Sequence, residues 1–283
     1  MTTRLDRTCL SFGITRPFDP EHAFVTSPFF GPLYLCIHRS LRATYTFTVV
    51  IISIIHAGID ETEDAWFTYF THFSYIALTF YFIFAALHTY GYWRTGHSPL
   101  SRWPRSLQCL HSLLYTSITV FPPLMTILFW TVMSDETTFA TTYSIWLNIS
   151  LHLINTCFVF TEVLTNSIPA QPYLHLIPLE LCFLLYLPVV YITASSIGIY
   201  PFEFLNPDNP GLVVGAIFAG LAGIAGMFLL IQGMAYSKLY LLRSKGRSTG
   251  RLARKDPATY SMDLPIRTPS RNKNDVNIES HLA

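Results

Sequence analysis

Charge is what this sequence has least of: Asp, Glu, Lys and Arg make up 12% of its 283 residues, against about a quarter of an average soluble domain. Hydrophobic residues make up 51%, and a chain so poor in charge and so rich in apolar side chains belongs in a bilayer. Cysteine is also sparse. Cys9, Cys36, Cys109, Cys157 and Cys182 form neither a metal-ligand spacing nor an even disulfide set. The last three fall within apolar runs and read as small buried hydrophobes. Residues 1–32 carry Arg4, Arg7 and Arg16 but no apolar run, so no cleavable signal peptide is expected and the first membrane helix acts as the address.

Several enzyme classes are excluded by missing motifs. There is no GxxxxGKS or GxxxxGKT phosphate loop, no GxGxxG between a strand and a helix, no GxSxG elbow and no HExxH. The histidines have no zinc spacing, and Glu162 and Glu180 are too few and too scattered for a two-metal site, so neither a cofactor nor a metal is expected. The basic tail holds a single tyrosine, Tyr260. Without interleaved aromatics it points away from nucleic acid and toward anionic lipid headgroups.

What is present is aromatic and apolar: 22 Phe, 16 Tyr and 5 Trp fit a membrane protein with aromatic belts at both interfaces. Six apolar stretches occupy 44–59, 66–93, 107–133, 143–165, 173–200 and 212–242. Each reaches the roughly 20 residues a bilayer requires, the first by borrowing residues 41–43. Pro122 and Pro123 should kink the third. Gly211, Gly215, Ala219 and Gly223, with the offset pair Ala222 and Gly226, give the sixth a small-xxx-small stripe suited to close helix packing. Residues 33–42 mix apolar side chains with His38, Arg39 and Arg42 and suit a short helix on the membrane surface. The expected fold is therefore an all-α polytopic membrane helix bundle of about six spans. It divides into a cytosolic N-terminal segment 1–40, the bundle 41–242 and a disordered basic tail 243–283, rich in Ser, Thr, Pro and charge.

Loop charges alternate along the chain. Asp60, Glu61, Glu63 and Asp64 follow the first span, Asp135 and Glu136 the third, and Glu203 and Asp208 the fifth, whereas Arg94, Arg102 and Arg105 follow the second. With Arg243, Lys245 and Arg247 opening the tail, both termini are expected in the cytosol. Polar residues at membrane depth are His56, Thr71, His72, Ser74, His88, His111, Asn148, His152, Asn155, Glu162, His175 and Glu180. Of these, His56, Thr71, His72, His88, His111 and His175 lie near span ends, where a polar tip reaches the interface. His152 lies some nine residues inside its span and is costly there unless it faces a protein interior or a wet cavity. Asn148 stands four residues before it, on the same helix face.

The segment Trp146-Leu147-Asn148-x-x-x-His152, with Glu162 ten residues after the histidine, resembles the signature of the androgen-induced and androgen-dependent multipass membrane hydrolases, which cleave fatty acid esters of hydroxy fatty acids. Tyr69-Phe70-Thr71-His72-Phe73-Ser74 is similar to that family's aromatic-flanked threonine near the start of a span. Ile199-Tyr200-Pro201-Phe202-Glu203-Phe204-Leu205 is similar to its Tyr-Pro-Phe-Leu loop, here with an insertion. The matching order and spacing cover residues of about 66 to 230. The resemblance implies Thr71 as nucleophile, His152 as its partner and a lipid-ester substrate drawn from the bilayer. The endoplasmic reticulum membrane is the default location, with the plasma membrane as the second.

Such a pair has defined chemistry. A threonine hydroxyl is a weak nucleophile, so a neutral His152 must take its proton as it attacks the ester carbonyl. Donors must hold the oxyanion, the imidazolium protonates the departing alcohol, and water clears the acyl-threonine. Asn148 would support the ring in place of a triad carboxylate, or act only as glue between helices. Ser74, one turn from Thr71, is the rival nucleophile. Counted from their span starts, Thr71 and His152 differ in depth by roughly 6 Å. The alternative is a non-catalytic lipid-binding scaffold or a proton-coupled transporter. A transporter would pair His152 with Glu180 and leave Thr71 dispensable.

Overall fold

In the computed structural model the described residues are 9–60, 66–135, 137–198, 200 and 202–244. They lie within one compact unit. Most of the basic tail, Glu136, and Glu61, Glu63 and Asp64 of the first acidic loop also lie outside the described residues.

Six helices among the described residues are long and apolar enough to cross a membrane, and no strand occurs among those residues. α1 is Pro32–Ile59, α2 Phe70–Thr95 and α3 Arg105–Leu128, the last prolonged by a π-helical segment, Phe129–Met133. The fourth span is composite: α4 Thr142–Ile149, a second π-helical segment Ser150–Ile154, and α5 Asn155–Thr165. α6 is Leu176–Ile197, entered through a 3-10 turn at Tyr173–His175, and α7 is Pro210–Ser244. Local signals account for several boundaries. Thr141 and Ser144 form a capping box at the start of α4, and Gly96 and Gly198 end α2 and α6 in the left-handed conformation at φ 70° and 72°. α3 runs unbroken through Pro122 and Pro123. The departure from α-geometry comes six residues later, at Phe129.

α1 packs along α2, α2 against α3, and α3 against α5 and α7, while α6 rests on α7. α2 and α3 are the most enclosed, and α6 and α7 keep most of their surface outward. On α7 the small residues divide by use. A Cβ at Gly220 would stand 2.5 Å from the Phe183 ring of α6 and one at Gly223 3.1 Å from Leu124 of α3, so close packing is realised there, whereas Gly211 and Gly215 face no neighbouring helix. Gly220→Leu should therefore overpack the α6–α7 contact and lower stability by about 1–3 kcal/mol. Gly226→Leu, with nothing within 4 Å of its Cβ, should leave the thermal midpoint in detergent unchanged.

The expected surface helix before the first span does not form. α1 starts at Pro32 and carries Arg39 and Arg42 inside the bundle, where Arg39 is 0% exposed. The reason is Glu162 on α5, also 0% exposed. Arg39 donates to Glu162 Oε1 through Nε at 3.1 Å and Nη2 at 2.5 Å, and Arg42 Nη1 donates to Oε2 at 3.1 Å. The Tyr81 hydroxyl of α2 adds a bond to Oε1 at 2.9 Å. Arg39 Nη1 also donates to the Phe24 carbonyl at 2.8 Å and Thr89 Oγ1 at 2.6 Å, and Arg42 Nη2 donates to Thr161 Oγ1 at 2.7 Å. A buried carboxylate persists only when paired and hydrogen-bonded. Here the pairing joins α1, α2, α5 and the N-terminal segment.

That segment is likewise no free appendage. Ile14 and Val25 are fully buried, and the Asp19 carboxylate accepts from the Ala23 and Phe24 amides at 2.7 and 3.1 Å. Ser27 Oγ donates to the Thr165 carbonyl at 2.5 Å, and Ser167 N to the Thr26 carbonyl at 3.0 Å. Residues 12–31 thus close one end of the bundle. Beside them, Lys238 of α7 points its ammonium at the carbonyls of Val163, Asn166 and Ile168 and at Asn166 Oδ1, at 2.8–3.1 Å. It caps the C-terminus of α5, where carbonyls lack helical partners.

Candidate active site

Thr71, His72, Ser74, Asn148 and His152, among the polar residues singled out from the sequence, lie toward the other end of the bundle. α2 begins at Phe70 with no side-chain cap from Tyr69. Tyr186 of α6 supplies what is missing: its hydroxyl donates to the Thr68 carbonyl at 2.6 Å and accepts from the Phe70 amide at 3.3 Å. His72 lies flat on Trp66, centroids 4.2 Å apart, and its Nδ1 donates to the Trp66 carbonyl at 2.6 Å. The first turn of α2 is therefore held from both sides.

Thr71 sits in that turn, 8% exposed. Threonines deeper in the helix bond back to their own backbone, Thr79 to Tyr75 at 2.9 Å and Thr89 to Ala85 at 2.6 Å. Thr71 has no helical carbonyl four residues behind it, because Phe67 precedes the helix. Among the described residues neither its hydroxyl nor its amide N–H makes a hydrogen bond. An unpaired amide in the first turn carries the positive end of the helix dipole.

His152 lies in the middle of the π-helical segment of the fourth span, 5% exposed. Its ring stacks on Phe129 at 3.8 Å and 1°, and its Nδ1 is buried without a hydrogen-bond partner. Phe129 opens the π-helical segment of the third span, so the two widened turns meet through this stack. In each, an amide reaches five residues back: Asn155 to Ser150, and Ser134 to Phe129 at 2.9 Å. π-turns concentrate at functional sites because the extra residue re-aims a side chain. Ser150, two residues before the histidine, meets Tyr45 of α1 at 2.7 Å and donates to the Trp146 carbonyl at 2.7 Å.

Thr71 and His152 stand on adjoining helices that run in the same direction. Tyr81 bonds Glu162 at 2.9 Å, and Phe82 meets the Phe158 ring at 6.1 Å. Counting ten residues back from Tyr81 and from Glu162 arrives at Thr71 and His152. Counting eleven back from Phe82 and Phe158 puts Thr71 about five residues, roughly 7 Å, to one side of His152. The two counts put Thr71 between level with His152 and about 7 Å from it along the helix axis, and no hydrogen bond joins them among the described residues.

Asn148 does not steer the histidine. Its side-chain amide donates to the Thr138 carbonyl at 3.1 Å and pins the connector before α4, because half-buried Asn148 reaches that loop. Ser74 is buried on α2 and makes no hydrogen bond among the described residues. Glu180 is half-buried and forms no ion pair among them. Three residues of the site carry no sequence signal: Tyr186, Phe129 and Tyr45 are ordinary aromatics of apolar runs until the helices pack.

Next to the site, an apolar cavity of about 490 Å³ lies between α3, α6 and α7. Phe70, the residue before Thr71, lines it, as does Leu128, the residue before Phe129. Phe202, Phe204 and Leu205 of the loop between α6 and α7 also line it; Ile199 and Pro201 of the Tyr-Pro-Phe segment singled out in the sequence lie outside the described residues. No family model, curated protein or solved structure matches this chain.

Proposed function

We propose that the protein is an intramembrane threonine hydrolase that cleaves a lipid ester, of the fatty acid ester of hydroxy fatty acid type, through an acyl-threonine intermediate. The observation that carries this reading is the set of unused groups in the same half of the bundle: the Thr71 hydroxyl and amide, and His152 Nδ1. A hydroxyl free of its own helix can be aimed at an ester carbonyl. An imidazole nitrogen without a partner can take the proton as attack proceeds. The Thr71 amide, at the positive end of α2, can receive the oxyanion. Stacking on Phe129 restrains the ring in the role assigned to Asn148 on sequence grounds. The imidazolium then returns its proton to the departing alcohol, and water frees the threonine. The resemblance to the androgen-induced and androgen-dependent hydrolases points to the same two residues.

On this reading the acidic loops face away from the cytosol, both termini are cytosolic and the basic tail meets anionic headgroups. Thr71 then works near the non-cytosolic side and the Arg39–Glu162 cluster lies toward the cytosol. The endoplasmic reticulum membrane is the default location. In-gel labelling with a fluorophosphonate tests the reading: wild type and Ser74→Ala should label, and Thr71→Ala and His152→Ala should not, at equal folded amounts. Labelling that survives in Thr71→Ala would overturn it. In that case a lipid-binding or transport role for the same residues becomes the better account.

A further inference from the structure

The apolar cavity is open on one side and blind on the other. Leu212 and Val132 on its rim are 49% and 60% exposed, and Gly215 and Ala219 between them are exposed too. Phe70 and Phe121 at its inner wall are buried. The open side therefore lies where α3 and α7 face the bilayer, and the closed side ends one residue from Thr71. At Gly215 an added Cβ would meet no heavy atom within 4 Å, so the absence of a side chain there leaves open space rather than allowing a helix to approach.

We propose that this cavity holds one hydrocarbon chain of the substrate lipid, admitted sideways from the bilayer past Gly215 and Ala219, and that these two residues set the girth it accepts. The lining has no charged group and one hydroxyl, that of Tyr186, which is already bonded to the Thr68 backbone. A headgroup would be stranded there, and apolar cavities of this kind stay dry and take apolar guests. The volume lies within the roughly 300–1,000 Å³ of small-molecule sites, and the bilayer at the opening supplies alkyl chains in excess. That the chain belongs to an ester awaiting Thr71 rests on the hydrolase reading; that a chain binds does not.

The test uses the full-length protein in phosphatidylcholine vesicles with palmitic acid carrying a mid-chain diazirine, followed by mapping of the photo-adducts. Wild type and Thr71→Ala should both carry adducts in residues 121–128 and 202–205. Gly215→Leu and, as a second variant, Ala219→Leu should lose them by about tenfold, with Gly226→Leu, which lies off the cavity, unchanged. Adducts that persist in both cavity variants, or that fall only on outward residues such as Phe218 and Leu229, overturn the inference. So does cross-linking of α7 to a second copy through Gly215→Cys, which would make the stripe a contact between copies. Chain labelling without fluorophosphonate reaction would keep the chain site and remove the hydrolase; the reverse would keep the hydrolase and remove the chain site.

Discussion

Glu162→Gln should leave a protein that no longer purifies as a monodisperse species in detergent, with its thermal midpoint lowered far more than by any other single change on α5. The substitution keeps the shape and removes the charge, so Arg39 remains fully buried with no anion beside it. Stranding a buried partner costs about 3–5 kcal/mol, a large share of the roughly 5–15 kcal/mol that holds a domain folded. The double variant Arg39→Met/Glu162→Met removes both fully buried charges and should regain more than half of that loss. Arg42 is then left over the rings of Phe82 and Phe158 at 5.3 and 5.4 Å and bonded to Thr161. A wild-type midpoint for Glu162→Gln would mean that the cluster is not the fastener between α1, α2 and α5.

The second large effect concerns activity alone. His152→Phe should reduce lipid-ester hydrolysis by about 10²–10⁴-fold and leave the thermal midpoint close to wild type. A phenyl ring can keep the stack on Phe129, and the buried Nδ1 has no hydrogen bond to lose. Thr71→Ala should fall to the background rate, and the double variant should be no slower than Thr71→Ala, because a nucleophile and its base fail as a unit. A proton-coupled transporter gives the opposite pattern, with transport lost in His152→Phe and kept in Thr71→Ala.

The membrane bundle was legible because apolar length and loop punctuation act locally. Five spans recur within a few residues of their expected bounds, and the first is longer by the twelve residues 32–43, which carry Arg39 and Arg42. Those arginines looked interfacial because a charge near a span end is cheapest at the surface, and only the packed position of Glu162 reverses the balance. Thr71, His152 and Asn148 stood out by polarity, yet polarity does not say whom a side chain meets: Asn148 went to a loop carbonyl. The π-helical turns at Phe129 and Ser150 have no signature in the sequence, since they depend on which carbonyl an amide chooses after the helices have packed. The small-residue stripe of α7 is visible in the sequence, but whether a glycine admits a neighbouring helix or a cavity is settled by the partner, Leu124 beside Gly223 and nothing beside Gly215.

Whether Thr71 is an activated hydroxyl is tested most directly by tandem mass spectrometry of the fluorophosphonate-treated wild-type protein in phosphatidylcholine vesicles. A single adduct on Thr71, absent when His152 is replaced by Phe, is the predicted result. An adduct on Ser74, or one on Thr71 that forms equally well without the imidazole, would contradict it.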